Sequence, residues 1–100
     1  MPSIKMNVPH QLSQDEASSR LKGFLTKVRN RYEGQVSDVV ENWVGDALQF
    51  AFSTFGMTIQ GNLAVEQNEV RLEGQIPLRA LMFKGKIEQT IRDEITKVLA

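Results

Sequence analysis

Three runs of alternating apolar and polar residues follow one another so closely that their pairing can be worked out before any fold is assumed. Leu48, Phe50 and Phe52 are the apolar set of the first run, Met57, Ile59, Gly61, Leu63 and Val65 take the same parity in the second, and Val70, Leu72, Gly74 and Ile76 do so in the third. A period of two marks strands with one dry and one wet face, an asymmetry that antiparallel sheets accept. A two-residue loop at Gln67 and Asn68 pairs Val65 with Val70, Leu63 with Leu72, Gly61 with Gly74 and Ile59 with Ile76. A second such loop at Phe55 and Gly56 pairs Phe52 with Ile59, Phe50 with Gly61 and Leu48 with Leu63. Every inward residue meets an inward residue, so the two hairpins share one register and predict a meander.

The flanks are read from other signals. Ile4, Met6 and Val8 alternate with Ser3, Lys5 and Asn7, and Pro9 ends that first strand. Ser13 as N-cap, Glu16 three residues on for a capping box, and Leu12 against Ala17 as a hydrophobic staple start a helix. Ala17, Leu21, Phe24, Leu25, Val28 and Tyr32 keep one apolar stripe until Gly34, which predicts one helix over residues 14–33. Val36, Val40 and Val44 oppose Val39 and Trp43 in parity, so residues 35–44 have an open register. Gly45 and Asp46 read as a hairpin turn, and a strand with a bulge or an edge role accommodates the mixed pattern before them. After Pro77 the run Leu78 to Phe83 leads into a second helix, with Ile87, Ile91, Ile95, Val98 and Leu99 along its stripe. The expected order is β-α-β-β-β-β-α: an antiparallel meander sheet on two helices, a two-layer α+β fold. A small helix-grip, in which the sheet wraps the C-terminal helix, is its specific form.

A chain of 100 residues supports one hydrophobic core, so residues 1–100 are expected to form a single domain. Lys plus Arg number 12 and Asp plus Glu number 12, and this balance argues against a nucleic-acid partner. With Cys 0 and His 1, a thiolate nucleophile, a cysteine zinc site and a histidine-rich metal site are excluded. No catalytic residues, no metal and no cofactor are expected, and the chain is read as not an enzyme. There is neither an apolar run of signal-peptide type nor a stretch able to span a bilayer, which predicts a cytoplasmic protein without transmembrane insertion.

The remaining features each admit two readings. His10, just before the helix cap, fits a turn or capping role, or a general base without a visible partner. Phe50, Gly61 and Gly74 fall in one row, either a dent covered by the Phe50 ring or the floor of a small apolar pocket between sheet and helices. Arg20, Lys22, Lys27, Arg29 and Arg31 form a stretch without acids, either a dipole-matched helix face or a basic face for an anionic surface. Trp43 reads as a rim residue of the core or an exposed anchor. Leu81, Met82 and Phe83, followed by Lys84, Gly85 and Lys86, cannot all face inward. They suit insertion into a hydrophobic or lipid-like surface, or a helix lead-in under the sheet. The outward residues of the central strands, such as Gln49, Ala51, Gln60 and Asn62, carry no charge and fit a homodimer surface or a solvated one.

Several ordered strings carry a resemblance: Val8-Pro9-His10 with Leu12-Ser13-Gln14, Gln35-Val36-Ser37-Asp38, Trp43-Val44-Gly45, Phe55-Gly56-Met57, Glu73-Gly74-Gln75-Ile76-Pro77 and Phe83-Lys84-Gly85-Lys86-Ile87-Glu88. Together they resemble a family of small bacterial proteins described as putative polyhydroxyalkanoic acid system proteins. The resemblance implies a cytoplasmic, granule-associated accessory protein of storage-polyester metabolism, and it carries no catalytic signature. Its implied partner is the polyester granule surface or a granule-associated protein, with Leu81, Met82, Phe83, Lys84, Lys86, Arg29 and Arg31 as candidate contacts. The alternative is a small domain binding an apolar or hydroxyacyl ligand at Phe50, Gly61 and Gly74.

Overall fold

The computed structural model describes residues 2–100, so the first residue of the expected 1–100 unit lies outside the described residues. Five strands, β1 (Ser3–Pro9), β2 (Val36–Val44), β3 (Ala47–Thr54), β4 (Met57–Val65) and β5 (Glu69–Gln75), form one antiparallel sheet in the order β1-β5-β4-β3-β2. The meander register is the one that inward pairing dictates: Phe50 opposite Gly61 and Gly61 opposite Gly74, with Leu48, Leu63 and Leu72 in the next inward row. β1 then joins β5, setting Ile4 opposite Gly74 and Met6 opposite Leu72, and so extends both inward rows. The α+β order is the expected one.

The first helical element departs from the expected single helix over 14–33. It is two helices, α1 (Gln14–Leu21) and α2 (Phe24–Arg31), separated at Lys22 and Gly23. Gly23 takes φ 83°, a left-handed conformation that glycine adopts without a Cβ clash and that stops a helix. Leu21, Phe24 and Leu25 all stay buried across the break, so the apolar stripe bends without leaving the core. The orphan amides at the start of α2 find an acceptor on β2. The Glu41 carboxylate accepts from Gly23 N at 2.7 Å and from Leu25 N at 3.3 Å, and it also takes the Trp43 indole N–H at 2.8 Å.

At the other end of α1, Ser13 Oγ accepts from Glu16 N at 3.1 Å, the expected cap. The Glu16 carboxylate pairs with Arg20 one turn on, at 3.0 Å, in place of closing a capping box. Two side chains fix α1 on the sheet: Gln14 donates to the Val65 carbonyl at 2.9 Å, and Ser18 to the Asp46 carboxylate at 2.6 Å. After β5, Pro77 opens a 3-10 turn over Leu78–Phe83, and α3 (Lys84–Leu99) runs back along β1 and α1. Ile4, Leu21, Leu48, Ile59, Leu63, Val70, Ile76 and Ile95 are fully buried between the helical layer and the sheet.

Residues 36–44 resolve the open register. β2 is an edge strand, and its pairing with β3 shifts between Ser37 and Val40, where Asp38 has φ 53°. This bulge lets Glu41 and Trp43 face the helices while Val40, Asn42 and Val44 face outward, and it shortens the regular edge that another chain could extend.

Candidate functional site

Strand pairing gathers the ends of several elements in one place. Ser3, Gln75, Met57, Thr54 and Val36 all lie toward the same end of the sheet, and both the β3–β4 turn and the 3-10 turn project from it. The Arg79 guanidinium donates to the Gly56 carbonyl and so holds the 3-10 turn beside the hairpin tip. Phe55, Leu78, Leu81, Met82 and Phe83 therefore share one end of the molecule, with between 49% and 83% of each residue exposed. Ala80 turns inward and is fully buried, which fixes the 3-10 turn against the core and forces its larger neighbours outward. Lys84 and Lys86 follow at the start of α3, and together with Arg79 they put cations around the apolar side chains.

The Leu81–Phe83 triplet is thus exposed at all three positions, beyond the minimum of one that its sequence requires. Phe55 and Leu78 were not among the sequence candidates. Phe55 did leave a signal, because a two-residue hairpin loop normally holds Asn, Asp or Gly. Here Phe55 has φ 51° beside Gly56 at φ 74°, a backbone that disfavours a bulky side chain. An aromatic ring held at a strained turn and left 77% exposed gains nothing from the core.

The two candidate arginines part company. Arg29 is exposed on the last turn of α2, with no carboxylate within ion-pair distance among the described residues. The Arg31 guanidinium donates to the carboxylate of Glu94, a residue only 4% exposed, and thereby joins α2 to α3. Lys22 lies 6.0 Å from the centroid of the half-buried Trp43 ring, a cation–π contact at the rim of the core.

Phe50, Gly61 and Gly74 do fall side by side in one inward row. Phe50 and Gly74 are buried, and the Phe50 ring comes within 4.0 Å of where a side chain on Gly74 would begin, while a shallow depression of about 370 Å³ is lined by all three residues together with polar ones such as Gln60 and Asn62. His10 has both nitrogens engaged: Nε2 donates to the Glu66 carbonyl at 3.0 Å, and Nδ1 accepts from Leu12 N at 3.1 Å. It fastens the loop after β1 to the β4–β5 turn. Among the described residues no group of three His, Asp or Glu side chains is placed to hold a metal ion, and no helix is long and apolar enough to cross a membrane.

The arrangement is an apolar end with cations beside it on a two-layer body. Comparison with curated proteins finds no match. A family model does match, over residues 4–99, and the chain belongs to the family described as putative polyhydroxyalkanoic acid system protein.

Proposed function

We propose that this protein is a non-enzymatic accessory protein of polyhydroxyalkanoate metabolism that docks through its apolar end on the polyester granule surface or on a protein bound there. The observation that carries this reading is the exposure of Phe55, Leu78, Leu81, Met82 and Phe83 together at one end. Exposed apolar groups clustered in this way are stabilised by an apolar partner, and an aliphatic polyester provides one. Lys84, Lys86 and Arg29 add an attraction to anionic groups at the granule boundary.

The test is co-sedimentation with protein-free polyhydroxyalkanoate granules and with native, protein-coated ones. The double variant Met82→Ser/Phe83→Ser should bind roughly a hundredfold more weakly, because two buried apolar side chains contribute on the order of 3 kcal/mol. That loss should persist at high salt, since apolar burial is not screened. Replacing Arg29 should weaken binding mainly at low salt, because at about 0.1 M the Debye length is already near 10 Å. Binding that ignores both replacements would remove the docking reading. Binding to coated granules alone would make the partner a granule protein.

The non-enzymatic half of the proposal has its own check. Purified protein is expected to turn over neither polyester nor hydroxyacyl thioesters. Sustained turnover abolished by His10→Ala, or by Ala at Asp38, Glu41 or Glu73 in a folded variant, would overturn it.

A further inference from the structure

Among the described residues, no helix covers the second face of the sheet. Across it the register aligns Asn42, Gln49, Asn62 and Glu73 in one row and Val44, Ala47, Ala64 and Arg71 in the next. From Val40 to Val44 on β2, and along all of β3 and β4, the outward side chains carry no charge. They are carboxamides, hydroxyls, alanines and two valines, Val40 and Val44, that are 57% and 72% exposed. Two shallow depressions of about 370 and 420 Å³ lie along this face and share Gln49, Asn62 and Glu73.

We propose that this face is an interface between two copies of the chain, stacked sheet on sheet. A patch that meets its own copy across a two-fold axis places like groups near like groups, so a charged face repels itself. Carboxamides both donate and accept hydrogen bonds, which makes them self-complementary. A two-fold axis along the strands, between β3 and β4, sets Gln49 of one copy opposite Asn62 of the other and Asn42 opposite Glu73. Val40 and Val44 then stand over the second copy's β5, opposite Gln75 and Arg71. On β5, Glu73 and Arg71 each face an uncharged residue of the other copy's β2, and β1 with Lys5 lies outside the four stacked strands.

The available area sets the strength of the contact. Four strands of about seven residues, at roughly 4.8 Å between strands and 3.4 Å along them, offer about 450 Å² of plane per copy. Both copies together remove on the order of 1,000 Å² from water, the lower bound for a specific interface. The expected assembly is a reversible dimer with a dissociation constant in the micromolar range.

Sedimentation velocity on the full chain, from about 1 µM to about 1 mM, should show the mass rising from 11.3 kDa toward twice that value. Gln49→Lys and Asn62→Lys, each at an exposed position, should raise the dissociation constant at least about tenfold with circular dichroism unchanged, because each interface then receives two like charges. Met82→Ser/Phe83→Ser should leave it unchanged. A mass of 11.3 kDa throughout, or a dimer that resists both lysine variants, overturns the proposal. So does a dimer that dissociates on replacement of Met82 and Phe83, since that contact would be the apolar end.

Discussion

Gly61→Val is expected to destabilise the fold by about 3 kcal/mol, the upper part of the range for inserting methylenes into a filled site. A Cβ on Gly61 would run into the Glu73 carbonyl oxygen and would lie 2.7 Å from Gly74 Cα. These are backbone atoms of the neighbouring strand, so no rotamer change relieves the clash and β4 must move away from β5. The paired glycine behaves differently. A Cβ on Gly74 would meet Gln60 O at 3.5 Å and Phe50 Cζ at 4.0 Å, ordinary van der Waals contacts. Gly74→Ala should therefore cost less than about 1 kcal/mol, within the range of tolerated small changes. Urea unfolding followed by Trp43 fluorescence measures both. Equal losses at the two positions would refute the asymmetry, and a neutral Gly61→Val would point to open space in this row.

The pairing of these glycines was legible in the sequence because a period of two leaves little choice. Slipping the β4–β5 hairpin by one residue would turn Leu72 and Val70 out to water while Leu63 and Ile59 stayed inward, which no turn preference could offset. The bulge in β2 was legible only as a conflict of parity between Val36 and Trp43. Its site, at Asp38, depends on which residue can reach the α2 amides, and that is a matter of tertiary geometry.

The break in the first helix was harder to read. Ala17 to Tyr32 form an unbroken helical stripe, and a lone glycine inside such a pattern costs only about 1 kcal/mol, so Gly23 by its residue type alone does not mark a break. What decides for the break is Glu41, an acceptor some eighteen residues on in sequence, which satisfies the amides of a new helix start. At the apolar end, the triplet Leu81–Phe83 was visible because consecutive apolar residues cannot share one face. Phe55 enters the sequence reading only as a loop position of the β3–β4 hairpin, and its exposure depends on the turn backbone, which the pairing arithmetic does not reach.

Arg31→Ala is expected to cost about 2 kcal/mol, far more than the loss of an ordinary surface cation. The reason lies in Glu94, which sits on the apolar stripe of α3 between Ile91 and Val98 and is buried there. Its carboxylate takes the Arg31 guanidinium, the Tyr32 hydroxyl at 3.2 Å and, more distantly, the Lys97 ammonium at 3.7 Å. Removing Arg31 leaves a buried charge with one neutral donor and one mobile cation. The cost stays below that of a wholly buried pair because the Arg31 side chain is 49% exposed and water can reach the gap. Lys97→Ala, at a side chain 66% exposed, should cost less than about 0.5 kcal/mol. Arg31→Met combined with Glu94→Leu should recover most of the stability lost by Arg31→Ala, since an apolar pair of similar volume needs no partner for a buried charge. A double variant as unstable as Arg31→Ala would show that packing, not the unpaired carboxylate, sets the loss. An Arg31→Ala loss below about 0.5 kcal/mol would return Arg31 to the set of free surface cations beside Arg29. Because Arg31 holds α2 to α3, weaker granule binding by an Arg31 variant has to be measured under conditions where that variant is fully folded, whereas Arg29, exposed and with no ion pair among the described residues, reports surface charge directly.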